Sequence, residues 1–234
     1  MSISENIGAI HERMEAAARK SGRDPKEIEL MAVSKTHPAE SIREAFGAGM
    51  RIFGENRVQE FSGKAGAVAD LEGAAWHLIG HLQTNKAAKA VELFGAVDSI
   101  DSLKLAEKLD AAARGSGKKL RVLIEVNIAG ESAKNGVGLG SRELDELLAA
   151  APRLEALEFC GLMTVPPFAE NPEEARPYFR ELREWRDTIA ARKLPGVGMD
   201  SLSMGMSHDF EVAIEEGSTC VRVGTAIFGE RAKV

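Results

Sequence analysis

Residues 120–128 read LRVLIEVNI, a run dominated by aliphatic and β-branched side chains. Such a run predicts a strand, and similar runs recur on both sides of it. Upstream lie 28–35 (IELMAVSK), 51–56 (RIFGEN), 75–80 (AWHLIG) and 96–100; downstream lie 157–165, 200–206 and 219–223. Helical patterns fill the gaps. One opens at Pro38 (PAESIREAFGAG), another from Arg57, and then come QTNKAAKAVELF and SLKLAEKLDAAARG. The segment 141–153 has Ser141 as a cap and Leu144, Leu147 and Leu148 on one face. Helices are also expected over 172–193 and 208–217. Eight strands separated by helices imply parallel βαβ units, and eight is the number that closes. The expected fold is therefore α/β: a single (β/α)8 TIM-type barrel over 1–234, with an open doubly wound sheet as the rival. An extra N-terminal helix over 7–20 is placed to cover the barrel where a terminal helix is missing. No linker or composition shift divides the chain, so one domain is expected.

Bulk properties exclude several functions. Hydrophobic residues make up 44% and charged residues 28%, the balance of a globular protein. The net charge of −6, without a basic block, argues against nucleic-acid binding. The start, MSISENIGAIHERMEAAARK, carries charges throughout and is read as neither signal peptide nor anchor. No stretch approaches the roughly 18 apolar residues of a membrane span. The two cysteines, Cys160 and Cys220, lie in apolar runs and are expected to be buried as small hydrophobes, in a cytoplasmic, reducing compartment.

In a parallel barrel the chemistry belongs at the strand C-termini. Lys35 ends the first strand pattern. Alternation puts Met31, Val33 and Lys35 on one face; if that face is inward, desolvation lowers the amine pKa from about 10.4 and frees its lone pair for a carbonyl. The alternative is a lysine that marks the strand end and reaches water. After strands seven and eight come SMGMSHDFE and VRVGTAIFG, where Ser207, Gly224 and Thr225 form small-residue turns into helices. Paired turns of this kind suit a phosphate, although two ordinary capped turns look the same in sequence. Arg222 lies inside the β-run VRV, on the face shared with Gly224; it is either aimed at the site or paired with a carboxylate such as Glu125. An imine-forming lysine, a phosphate cradle and an inward arginine together fit pyridoxal phosphate, with Arg222 at the ring nitrogen.

The segments AVSKT, FGENRVQE, WHLIGHLQTNK, SMGMSHDFEVAIEEG and VRVGTAIFG resemble the pyridoxal phosphate homeostasis protein family, from about Leu30 to Gly229. The resemblance implies a barrel like the N-terminal domain of alanine racemase, with the cofactor on Lys35 as an internal aldimine. It also implies that Asn56 and His77 flank the cofactor and that Met204 contacts its ring. It assigns no catalytic residue and no metal. The implied role is to bind, buffer or deliver the cofactor in vitamin B6 homeostasis, with pyridoxal-phosphate-dependent apo-enzymes as partners. A monomer is the expected state.

Two further readings compete. A racemase would need a second acid/base, and the sequence's single tyrosine, Tyr178, falls in a helix between strands six and seven; no second domain is expected to supply one. A Schiff-base aldolase acting on a phosphorylated sugar would use the same lysine and cradle, but a sugar offers Arg222 no ring nitrogen. GVGLG at 136–140 lies too far after strand five for a dinucleotide loop; with Ser132 and Lys134 it forms either a lid or an ordinary loop. His77 and His81 are separated by a strand-like pattern, so a metal pair is not expected.

Overall fold

The computed structural model describes residues 2–131 and 133–230. Among these, eight parallel strands close into a barrel in chain order, with the eighth pairing back on the first. The elements run α1 (Ile3–Lys20), β1 (Glu29–Val33), α2 (Ala39–Gly47), β2 (Ile52–Glu55), α3 (Val58–Lys64), β3 (Ala75–Leu78) and α4 (Ala87–Leu93). They continue with β4 (Ala96–Ile100), α5 (Leu103–Gly115), β5 (Leu120–Val126), α6 (Arg142–Ala150), β6 (Leu157–Thr164) and α7 (Arg176–Ala191). The last four are β7 (Val197–Met206), α8 (Phe210–Glu215), β8 (Cys220–Val223) and α9 (Thr225–Phe228). Each expected strand is present, and the ring closes at Met31 opposite Arg222. An open sheet is thereby excluded.

Local chemistry explains several boundaries. Ser2 and Glu5 form a reciprocal capping box at the start of α1. Ser141 caps α6 as expected, its Oγ accepting the Leu144 amide at 3.2 Å. The helix expected over 172–193 opens with one 3-10 turn, Pro172–Ala175, because proline is suited to a first turn.

Alternate strand residues face outward and merge with the apolar faces of the helices. Leu30, Ala32, Leu202, Met204, Val221 and Val223 belong to that continuous layer. The extra helix is found where it was expected. α1 packs between α8 and α2, burying Ile7, Ile10, Met14, Ala17 and Ala18. It also holds the end of the chain's last helix, since Asn6 Nδ2 donates to the Ile227 carbonyl of α9 at 2.8 Å.

The barrel interior is unusually polar. Toward its N-terminal end it holds a cavity of about 20 Å³ lined by His77, Asp98, Arg121, Ser203 and both cysteines. That is room for roughly one water molecule. Cys220 is buried as expected, but Cys160 is only half-buried. No helix among the described residues is long and apolar enough to cross a membrane.

Candidate functional site at the barrel mouth

At the C-terminal ends of the strands lies a second, much larger cavity of about 410 Å³. Its size falls within the usual range for small-molecule sites, roughly 300–1,000 Å³. Lys35, Asn56, Ser207, Arg222, Gly224 and Thr225 all line it. Six of the eight residues expected at the site are therefore brought together from β1, β2, β7 and β8 ends. Val33 lines the cavity as well, in agreement with an inward face shared by Val33 and Lys35.

His77 and Met204 do not line it. His77 sits deeper, in the small lower cavity, with its Nδ1 3.1 Å from Asp98 Oδ2. Burial by itself would pull the His77 pKa down; the Asp98 carboxylate outweighs it, and the net direction is upward. Met204 is fully buried in the outward layer between sheet and helices. It alternates with Ser203, which lines the lower cavity, and so faces outward; beyond it β7 is irregular, and the register with β8 shifts between Ser203 and Met206. Gly205 takes φ +94°, and a Cβ there would stand 2.5 Å from the Ala213 Cβ of α8. The extra residue turns Met206, rather than Met204, toward the cavity.

Arg222 forms the floor. It is 4% exposed and donates to Ser203 Oγ and to the Thr164 carbonyl, each at 2.7 Å. Burial lowers its pKa from the ordinary value, opposed by the nearby charges of Cys220, Asp98, Asp209 and Glu125. The pairing with Glu125 considered from sequence is not the one made: Glu125 acts through its field, and the direct partners are Ser203 and Thr164. Glu125 itself is pushed up to about 7, by burial first and then by Asp101.

The cradle is built from Ser207 and the turn after β8. Ser207 Oγ accepts the amides of Gly224 at 3.3 Å and Ala226 at 3.4 Å. Backbone N–H groups converging on one point form an anion nest. The turn after β7, which carries Ser207, is fixed by Asp209, whose Oδ1 accepts the Met206 amide at 2.6 Å. On the other side, the His37 ring stacks on Phe228 of α9, with centroids 4.8 Å apart.

Sequence reading missed Ile79, Val165, Met206, His37 and His208, which also line the cavity. Four of them lie within two residues of a strand end and His37 lies four beyond Val33, so scanning four residues past every strand would have found them. Gly80 had a signal too: a Cβ there would meet the Asn56 carbonyl oxygen at 2.3 Å, so only glycine lets β2 and β3 ends approach. The GVGLG loop runs back along β5, with Asn127 donating to the Val137 carbonyl and Val137 to that of Glu125, both at 2.9 Å. It does not line the cavity. Of the two polar residues considered with it, Lys134 pairs with Glu131 at 2.6 Å, and Ser132 lies outside the described residues.

The chain resembles known proteins over its whole described length. The family model "Alanine racemase, N-terminal domain" matches residues 6–232. A pyridoxal phosphate homeostasis protein from Aquifex aeolicus is 45% identical over 231 residues, 99% of either chain. PipY from Synechococcus elongatus PCC7942, solved with PLP bound, superposes with a TM-score of 0.84 at 36% identity, over 97% of this chain and 100% of that one. Alanine racemase from Streptomyces lavendulae shares the fold, with a TM-score of 0.71 at 20% identity; 97% of this chain covers 57% of that enzyme. By family match and by relatives alike, the chain belongs to the alanine racemase N-terminal domain family and, within it, to the pyridoxal phosphate homeostasis proteins.

Proposed function

We propose that this protein holds pyridoxal phosphate covalently on Lys35 at the barrel mouth and serves vitamin B6 homeostasis as a cytoplasmic carrier rather than an enzyme. The observation that carries this reading is the convergence of three groups on one cavity. They are the Lys35 amine, the nest at Ser207, Gly224 and Ala226, and the buried Arg222 guanidinium. The set fits the cofactor's aldehyde, phosphate and ring nitrogen. Further support comes from the homeostasis relative in Aquifex and the PLP in PipY.

When bound, the cofactor supplies an electrophilic aldehyde and an aromatic ring able to accept electron density. Lys35 would supply the amine that condenses with that aldehyde, with water as the leaving group. Ser207 and the two amides fix the phosphate end, which sets the reach of Lys35. Arg222 keeps the ring nitrogen unprotonated, because a proton there would put two positive charges side by side. An unprotonated ring is a poor electron sink, which supports holding over turnover. Tyr178, the sequence's single tyrosine, belongs to α7 and does not line the cavity.

Mixed with pyridoxal phosphate, the protein should gain absorbance at the violet edge that borohydride makes permanent. Peptide mapping should then find the label on Lys35. A label on any other lysine refutes the covalent assignment. Repeated deuterium exchange at the α-carbon of L-amino acids in heavy water would overturn the carrier reading.

A further inference from the structure

Lys35 lies two residues beyond the last residue of β1, so the sheet ladder does not fix its backbone. The next residue, Thr36, adopts φ +65°. A β-branched residue in the left-handed region is strained and stays there only when its surroundings impose it. They do so from α3. Glu60 accepts the Thr36 amide proton on its Oε1. One turn later on the same helix, Lys64 Nζ donates to the Ser34 carbonyl at 3.0 Å and to the His37 carbonyl at 3.2 Å. The amide of Thr36 and the carbonyls on both sides of the Lys35–Thr36 pair are therefore all gripped by one helix.

The grip is itself anchored. Lys64 pairs with Glu55 at 2.8 Å and with Glu60 at 3.4 Å, and Glu55 is completely buried at the end of β2. Glu55 Oε1 also accepts the Ser34 hydroxyl at 2.6 Å. A fully buried carboxylate beside a nearly buried ammonium is a costly way to attach a helix to a sheet, and hydrophobic residues of similar size do that as well or better. What apolar side chains cannot do is hold backbone carbonyls and an amide in an unfavourable turn.

We propose that Glu60 and Lys64, anchored by Glu55, are positioning residues: they lock residues 34–37 in the turn that aims the Lys35 amine into the cavity. The inference rests on the reading of Lys35 as the aldehyde-binding amine and deepens it. Locking the main chain leaves the Lys35 side chain only its own torsions to search, which raises the rate of capture of an aldehyde held by the nest.

The test uses the full chain and pyridoxal phosphate itself. Glu60→Ala removes the acceptor for the Thr36 amide at a partly exposed position, where the fold should tolerate the change. Capture, read as the rate at which violet-edge absorbance grows, should slow on the order of tenfold to a hundredfold. The melting temperature of the ligand-free protein should move by only a few degrees. Adding Thr36→Gly should then restore much of the rate, since glycine takes the left-handed conformation without a clamp. Lys64→Arg should likewise capture faster than Lys64→Met. Wild-type capture rates in Glu60→Ala overturn the proposal, as does a slowdown that follows lost stability and is not relieved by Thr36→Gly. A borohydride map of the wild type separates the two layers. A label away from Lys35 removes the foundation, whereas a label on Lys35 with unchanged rates in Glu60→Ala removes the clamp alone.

Discussion

The two ends of the barrel interior are both polar, yet only one is a site. At the N-terminal end, His77 and Asp98 answer each other inside about 20 Å³. At the C-terminal end, Lys35, Ser207 and the turn after β8 border about 410 Å³. Arg222 divides them, tied below to Ser203, which lines the lower cavity, and bordering the upper one. What separates a binding site from a polar core is thus not residue type. The lower cavity leaves room for about one water molecule among its polar groups, whereas in the upper one an amine, a hydroxyl and converging amides border space large enough for a small molecule.

This contrast can be broken by experiment. The largest effect is expected from His77→Ala, which leaves the Asp98 carboxylate, 2% exposed, without its partner. Stability should fall by about 3–5 kcal/mol in urea titration, while cofactor affinity per folded molecule stays within about threefold. Lost affinity with stability intact would return His77 to the cofactor and erase the distinction. Next comes Glu125, whose pKa rises from 4.5 to about 7 on folding. A raised carboxylate pKa favours the folded state below pH 4.5, and that contribution is lost as the pH climbs to about 7. Glu125→Gln should therefore stabilise the protein by up to about 3 kcal/mol at pH 8 and by almost nothing at pH 4. Equal melting shifts at both pH values would show that the carboxylate is solvated. The smallest effect belongs to the nest. Ser207→Ala should weaken pyridoxal phosphate by about 1.5 kcal/mol, roughly tenfold, and leave unphosphorylated pyridoxal unchanged. Equal losses for both ligands, measured by equilibrium dialysis, would place the phosphate elsewhere.

Element type and order were legible because each strand is a short apolar run closed by a glycine, a proline or a helix cap, and because eight is a closing number. The mouth residues were legible wherever alternation carried cleanly past a strand end, as from Val33 to Lys35 and from Arg222 to Gly224. Met204 and His77 came from the family resemblance, not from alternation; Met204 follows inward-facing Ser203 and so points away from the cavity. His77 does face inward but lies deeper along the barrel axis, a depth that neither the resemblance nor alternation reads. The clamp on Lys35 left no mark in the sequence beyond an i, i+4 Glu60–Lys64 pair, which reads as an ordinary helix surface. Its targets, Ser34, Thr36 and His37, become neighbours only after β1 and β2 have paired.

The hydrogen bond from Asn6 to Ile227 and the pairing of β8 with β1 join the two extremes of the polypeptide around the mouth. On the ribosome the amine of Lys35 is made 190 residues before Thr225, since 225 − 35 = 190. At roughly 5–20 residues per second, that gap lasts about 10–40 s. For all of that time the growing polypeptide carries the lysine without its arginine or its anion nest. On the proposed reading, tight capture of the cofactor is therefore a post-translational event, coincident with the docking of the final strand beside the first.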